Sequence, residues 1–167
     1  MILDVGSGII DDKHMVFLKK DNTIHVDISR KAFHVEVVCD AHHLPFRNGT
    51  FHVVHARSIL ESLEHPLAAL KECKRVAAHM IIVKVPNSAY MDATLSEPAG
   101  HLYSWNAQTL KNICERAFSP DPVKVYPNRR IPQQLGKVKK YYNWLMGKLF
   151  GKSELTAVCR IYNATCS

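Results

Sequence analysis

The sequence is poor in the features that mark several whole classes of protein. No apolar run approaches the roughly 20 residues needed to cross a bilayer; the longest, such as 80–83, fall far short. Seven glycines and eight prolines are too few for a collagen-like or disordered chain. The five cysteines, Cys39, Cys73, Cys114, Cys159 and Cys166, are odd in number, far apart and lack a C-x-x-C pair. They read as reduced small hydrophobes in a cytoplasmic protein, not as a disulfide framework or zinc site. Ten histidines do not change this, because His42 and His43 are adjacent and lack the i, i+4 spacing of a metal-binding helix. No metal is expected. No signal-peptide pattern opens the chain, since Met1-Ile2-Leu3 runs straight into Asp4. Negative charge is also scarce: 15 Asp plus Glu stand against 22 Lys plus Arg, a net charge of +7. That surplus favours an anionic partner, whether nucleic acid, an anionic membrane surface or a phosphorylated substrate.

What is present is ordinary globular composition, 47% apolar and 22% charged over 167 residues, and a single domain spanning 1–167 is expected. Apolar, β-branched runs at 1–5, Thr23–Asp27, 35–39, 51–56 and 80–85 read as five buried parallel strands. A helix is expected over Pro66–Val76, where Leu67, Leu70 and Cys73 share a face that Ala77 continues and Pro66 suits the first turn. A second is expected over Ala107–Phe118, with Leu110, Ile113, Cys114 and Ala117 inward and Asn106 as its cap. Strands alternating with helices indicate an α/β domain with a mainly parallel sheet. In the last third, 123–126 and 155–162 read as strands that pair as an antiparallel edge. Between them lies a basic helical insert at about 133–152. Its stretch 135–150 places Leu135, Val138, Tyr142, Leu145, Met146 and Leu149 on one face, with Lys137, Lys140, Lys148 and Trp144 opposite. That pattern fits a helix packed on the sheet, or a flap making peripheral contact with a membrane or a lipid-linked acceptor.

The chemistry gathers at the ends of the first three strands. The first runs into Gly6-Ser7-Gly8, a turn in which the backbone can approach a ligand closely. The dinucleotide fingerprint fails, because Asp11 stands where a third glycine belongs. Asp4, two residues before the turn, would repel a pyrophosphate but suit a cofactor carrying an ammonium and a sulfonium. The second strand ends in Asp27, about 20 residues past the turn, where a carboxylate can accept from two ribose hydroxyls. The third ends in Asp40-Ala41. Three carboxylates thus share the carboxyl edge of the sheet, where open α/β sheets bind ligands.

With these residues in place, the sequence resembles the class I S-adenosylmethionine-dependent methyltransferases, in particular the type 11-like group. The resemblance lies in Asp40-Ala41-His42-His43-Leu44-Pro45-Phe46 followed by Asn48-Gly49-Thr50-Phe51, then in Ile59-Leu60-Glu61-Ser62-Leu63-Glu64-His65-Pro66, Ala69-Leu70-Lys71-Glu72 and Arg75-Val76. It covers roughly 1–118. It implies a Rossmann-like, doubly wound, mainly parallel sheet with an antiparallel C-terminal edge strand. It implies S-adenosylmethionine as cofactor and S-adenosylhomocysteine as product. Asp4, Gly6, Ser7 and Gly8 would then form the methionine-side loop, Asp27 and Ile28 would take the ribose, and Asp40 with the Ala41 amide would read adenine. Ala56 and Arg57 would touch the methionine end and face the substrate.

The sequence departs from the family at several points. Ile10 replaces a small residue after the turn, and His52 stands where Asp is usual. Ala77-Ala78-His79 replaces a longer glycine-containing turn before the fifth strand. Only 28–34 separate Asp27 from the third strand, too few for a helical crossover of about 10–12 residues. Apolar surface left bare there suits a homodimer or an overlying loop. Met1 lies on the first strand, so the helices that precede it in the family are expected to be absent.

No Asn/Asp-Pro-Pro-aromatic motif follows the fourth strand, where Ala56-Arg57-Ser58 stand, and this disfavours amino methylation of DNA bases. His101 and Tyr103, in the loop after the fifth strand, are candidates to act on an acceptor hydroxyl. The expected activity is methyl transfer to a small-molecule, sugar or lipid-linked acceptor. Two alternatives stay open: an RNA methyltransferase, favoured by the charge but by no RNA-binding module, and a cofactor-binding protein without transfer activity.

Overall fold

A computed structural model describes residues 1–8, 22–31, 35–88, 101–127 and 154–162. Seven strands form one sheet: β1 (Ile2–Val5), β2 (Thr23–Asp27), β3 (Val37–Val38), β4 (Phe51–Arg57), β5 (Ala77–Pro86), β6 (Val123–Pro127) and β7 (Glu154–Arg160). Two helices, α1 (Pro66–Val76) and α2 (Ala107–Phe118), complete the described elements. The strand order is β3-β2-β1-β4-β5-β7-β6. β1 pairs in parallel with both β2 and β4, so the order reverses there, at the point where doubly wound sheets bind ligands.

The antiparallel C-terminal strand is present, but one place in from the expected edge. β7 runs antiparallel between β5 and β6, and β6 is the last strand of the sheet. Neighbouring strands place register partners on one face. The face bearing Leu3, Val5, Val54, Ala56, Ile81 and Val83 forms the buried core with both helices. α1 packs on β4 and β5, α2 on β6 and β7, and the two helices touch.

Both helices span the ranges expected from their periodicity, with one shift in the buried stripe. α1 buries Pro66, Ala69, Leu70, Cys73 and Val76, while Leu67 is only partly buried. Ala77 does not extend the helical face. It is already extended backbone and opens β5, so no turn separates helix from strand. In α2 the Asn106 side chain accepts from the amides of Gln108 (3.0 Å) and Thr109 (2.9 Å), and the Thr109 hydroxyl accepts from the Asn106 amide, a complete capping box. Lys74 joins the helices at their far ends. Its Nζ donates to the carbonyls of Phe118 (2.8 Å) and Ser119 (2.7 Å) and lies 3.0 Å from Asp121, a cation at a helix C-terminus.

β3 is shorter than the run 35–39 predicted. Hydrogen bonding to β2 does extend beyond it, from the Glu36 amide to His25 (3.0 Å) and from the Cys39 amide to Asp27 (2.9 Å). The Glu36 carboxylate meanwhile accepts from the His25 amide at 2.7 Å, taking the place of a main-chain partner. The described part of the short link before β3 holds turns and no helix, and leaves Ile28 72% and Val38 45% exposed. The basic stretch 135–150 lies outside the described residues, as do Ile10, Asp11 and Cys166.

Cys73, Cys114 and Cys159 are buried and free. Burial pushes the Cys73 thiol up to about 12 and that of Cys159 to about 11, so both stay protonated at neutral pH. The loop 42–49 has no regular structure of its own and is held by α1. Arg75 donates to the carbonyls of Leu44 (2.8 Å) and Phe46 (2.7 Å) and to Glu72, whose Oε2 accepts from the Leu44 amide (2.9 Å). Arg75→Ala should therefore cost about 1–3 kcal/mol, the worth of hydrogen bonds to a charged group. Urea unfolding checks this, and an unchanged midpoint would show that the loop holds without the guanidinium.

Candidate functional site

A cavity of about 610 Å³ opens at the carboxyl edge of β1, β2 and β4. That is ample for a nucleoside-sized ligand, since small-molecule sites run from roughly 300 to 1,000 Å³. Its floor is the turn after β1. Gly6 (φ +75°) and Gly8 (φ +58°) are both left-handed, a conformation that glycine adopts without strain. At Gly6 there is a second reason: a Cβ there would lie 2.7 Å from Cδ1 of Ile59. The turn is fastened to β2, for the Gly6 and Ser7 amides both donate to the Val26 carbonyl, at 2.9 and 3.2 Å.

Asp27 lies on the cavity wall. Its Oδ2 accepts from the Gly8 amide and its Oδ1 from the Ser29 amide, each at 2.8 Å. An ionised carboxylate has about four acceptor positions, so two remain for ligand hydroxyls. Ile28 lines the wall beside it. Asp40 and Ala41, which follow β3, also line the cavity. Asp40 Oδ1 accepts from the His42 amide (2.9 Å) and lies 2.6 Å from His42 Nδ1. The backbone hydrogen bond from His42 is the chief reason the Asp40 carboxyl stays below its ordinary range. His42 also lines the cavity, its Nε2 is buried without a hydrogen-bond partner, and its ring meets that of His65 edge-on with centroids 6.1 Å apart.

The remaining residues singled out from the sequence are placed differently. Asp4 is 2% exposed and does not line the cavity among the described residues. Its Oδ2 lies 3.1 Å from His25 Nδ1 and its Oδ1 3.0 Å from His55 Nδ1. Because a carboxylate only accepts, both imidazoles act as Nδ1–H donors. Burial alone would raise the Asp4 pKa, but the hydrogen bonds and charges of His25 and His55 outweigh it and lower the value to about 2. Ser7 is fully buried, its hydroxyl 3.4 Å from the Val26 carbonyl. Ala56 belongs to the core beneath α1, and Arg57 points toward Glu154, 3.9 Å away. β4 runs one residue further than its apolar pattern, so Ser58 and Ile59 border the cavity after it. Ser58 is also the one described non-glycine residue with positive φ, at 47°.

His101 and Tyr103 are not among the described residues that line this cavity. The Tyr103 ring stacks on Trp105 with centroids 5.8 Å apart, and its hydroxyl donates to the Glu64 carbonyl at 3.0 Å. His101 is near enough to the buried Glu61 to act on its charge. Sequence reasoning passed over Ser58, Ile59 and the loop that enters α1, where Leu63, Glu64 and His65 close the cavity. The family-like block 59–66 carries the signal, since it leads from β4 across the carboxyl edge of the sheet into α1. No group of three or more His, Cys, Asp or Glu able to hold a metal occurs among the described residues.

Residues 3–79 match the family model described as a methyltransferase domain. Over this stretch the chain is similar to a class I methyltransferase domain. Its fold is shared with a SAM-dependent methyltransferase from Archaeoglobus fulgidus, at 19% identity and a TM-score of 0.64, over 96% of this chain and 85% of that one. A SAM-dependent methyltransferase from Aquifex aeolicus is similar at 16% identity and a TM-score of 0.63, over 96% and 81% of the two chains. So is a Haloferax volcanii structure of the Trm112 methyltransferase activator with its methyltransferase, at 14% identity and a TM-score of 0.63, over 95% and 80%. No curated protein matches the chain.

The cofactor of a methyltransferase domain of this kind is S-adenosylmethionine, and three features of the cavity fit it. Asp27 keeps acceptor capacity for a ribose diol, His42 lines the cavity with its Nε2 unpartnered, and the Gly6 turn has no room for a side chain.

Asp4 sets an acid limb on stability. Its pKa is depressed when folded, so its contribution is full above the ordinary value of 3.8 and is lost as pH falls through about 2. That shift is worth roughly 2 kcal/mol. Asp4→Asn should lose about this much at neutral pH and show a flatter fall below pH 4. Urea unfolding at several pH values measures both, and an acid limb identical to wild type would refute the assignment.

Proposed function

We propose that this domain transfers the methyl group of S-adenosylmethionine to a small-molecule, sugar or lipid-linked acceptor. In this reading Asp27 and Ile28 hold the ribose, Asp40 and the Ala41 amide read the adenine, and the turn of residues 6–8 cradles the methionine. The observation that carries it is the pair of aspartates, Asp27 at the end of β2 and Asp40 after the neighbouring β3, that line one cavity at the carboxyl edge of the sheet, each already oriented by backbone amides.

The sulfonium of the bound cofactor supplies an activated methyl group, so the protein's task is alignment and exclusion of water. Asp4 serves that task indirectly, by fixing the strand from which the turn of residues 6–8 departs. Ile59, pressed on Gly6, closes the same turn from above.

Incubating the protein with a small-molecule extract and methyl-labelled cofactor should place label on a discrete compound found by mass spectrometry. The +7 charge supports RNA as the alternative acceptor, and salt-dependent RNA binding with label recovered in RNA would favour it. The cofactor assignment has its own test. Asp27→Ala removes the acceptor for two hydroxyls and also frees the Gly8 amide, so affinity for S-adenosylhomocysteine should fall at least about tenfold. Calorimetry that shows equal affinity in the variant would remove Asp27 from the ribose site.

A further inference from the structure

A second cavity, of about 710 Å³, lies in the groove between α1 and α2. Its size falls within the roughly 300–1,000 Å³ of small-molecule sites. Leu67, Ala68 and Lys71 line it from α1, Ile113 and Arg116 from α2, and Tyr103 from the segment before α2. Leu67 and Ile113 belong to the apolar stripes of the two helices, yet both are only partly buried. Their remaining apolar surface is the wall of this groove.

The charges on the two helices are unevenly matched. Of their lysines and arginines, Lys74 meets Asp121 (3.0 Å), Arg75 meets Glu72 (2.7 Å) and Lys111 meets Glu115 (3.7 Å). The two left without a carboxylate among the described residues, Lys71 and Arg116, are the two that line the groove. Asn112 lines it as well, and its Oδ1 is taken by Gln108 at 2.7 Å, which leaves its amide hydrogens to donate. The Thr109 hydroxyl is spent on the Asn106 cap. The hydrogen-bonding capacity left on the helical walls is therefore all of the donor kind.

We propose that this groove binds an amphiphilic phosphate, its apolar body on Leu67 and Ile113 and its phosphate held by Lys71, Asn112 and Arg116. A phosphate is rich in acceptors and doubly charged near neutral pH, which suits a site whose free groups are all donors. The guanidinium of Arg116 offers the paired donors that phosphate oxygens accept best. Lys71 and Asn112 each lie five residues past the first residue of their helix, and Arg116 follows Asn112 by one turn on the same face. An RNA strand brings a phosphate with every nucleotide and calls for a track of cations. Here two cations border an apolar groove, which fits a single charged head on an apolar body.

The groove also carries one carboxylate, Glu64, before the first turn of α1. The two helices run in the same sense, since α1 joins the parallel strands β4 and β5 and α2 joins β5 to β6, both antiparallel to β7. Glu64 thus stands at the head of the groove, where its carbonyl accepts from the Tyr103 hydroxyl (3.0 Å), and Arg116 lies more than two turns into α2. Glu64, His65 and Ala68 line both cavities. A groove ligand would share that wall with the first cavity without entering it, so the proposal does not depend on what the first cavity holds.

The probe is octyl phosphate below its micellar concentration, with inorganic phosphate and octyl glucoside as controls for its head and its chain. Calorimetry on the wild type should show one octyl phosphate bound per chain, at least about tenfold tighter than either control. Lys71→Gln with Arg116→Gln should lose at least about tenfold of that affinity. Both side chains are exposed and unpaired, so the urea midpoint should hold, and the wild-type comparison decides the matter even if it does not. Saturating S-adenosylhomocysteine should leave octyl phosphate affinity within about twofold. Displacement by it would put the probe in the first cavity and overturn the proposal. No saturable binding, or equal binding by the double variant, overturns it too. So does binding to phosphatidic acid vesicles without binding of the monomeric probe. A single-stranded RNA oligonucleotide that binds where octyl phosphate does not, and is lost in the double variant, overturns it and gives the groove to RNA.

Discussion

The carboxylate of Asp4, gripped from either side by His25 and His55, is the contact on which the architecture of this domain turns. A charge withdrawn from water is tolerated only where partners replace the lost hydration. Those partners sit on β2 and β4, directly across from Asp4 in the sheet register. A slip of one residue in either neighbour would carry its imidazole to the opposite face. The interaction therefore locks the three central strands where their order reverses, and the turn that floors the cavity begins two residues later. The same buried charge that looks suited to a cofactor's ammonium is spent on register.

From that lock the cavity is assembled by pieces far apart in the chain. One wall follows β2 and is shaped by Asp27 holding the Gly8 and Ser29 amides. The other is an irregular loop moulded on α1 by Arg75 and Glu72. The third is the segment after β4, forced close to Gly6 by Ile59. Group transfer from an activated donor depends on the placement of reactants more than on strong acid or base chemistry. A site built from backbone amides and side chains anchored on strands and helices meets that demand. The catalytic variety of such a domain then resides in the loops over the carboxyl edge, among them the residues 58–65 and 101–105.

Periodicity made α1 and α2 readable, and Asn106 could be named as a cap because local hydrogen bonding alone produces a capping box. Asp27 and Asp40 were readable for a related reason: each closes an apolar run and is followed at once by turn residues. The partners of Asp4 were not, since His25 and His55 lie 21 and 51 residues from it and only the sheet brings them together. The end of β4 was misjudged by one residue because Arg57 interrupts an apolar pattern without breaking the strand, its charge being met by Glu154 from β7. The start of β5 was hidden similarly. Ala77, Ala78 and His79 carry no strong strand signal, and pairing with β4 draws them into the sheet. Nothing local distinguishes a final strand that ends a sheet from one that enters it, so the place of β7 was beyond reach of pattern alone.

The place of β7 bears on how the chain is made. Among the described residues β6 pairs with β7 alone, and β5 takes β7 as its outer neighbour. During synthesis, all of β1 to β6 leaves the ribosome before the strand that joins β6 to the rest. Until residue 160 emerges, β5 stands as an open edge of apolar backbone, with Ile81, Ile82, Val83 and Val85 along it, and β6 has no ladder at all. Open edges of this kind recruit other chains. The nascent protein is thus most vulnerable to association late in translation, and its closure is a single event: the insertion of seven residues into a gap whose two sides were made long before.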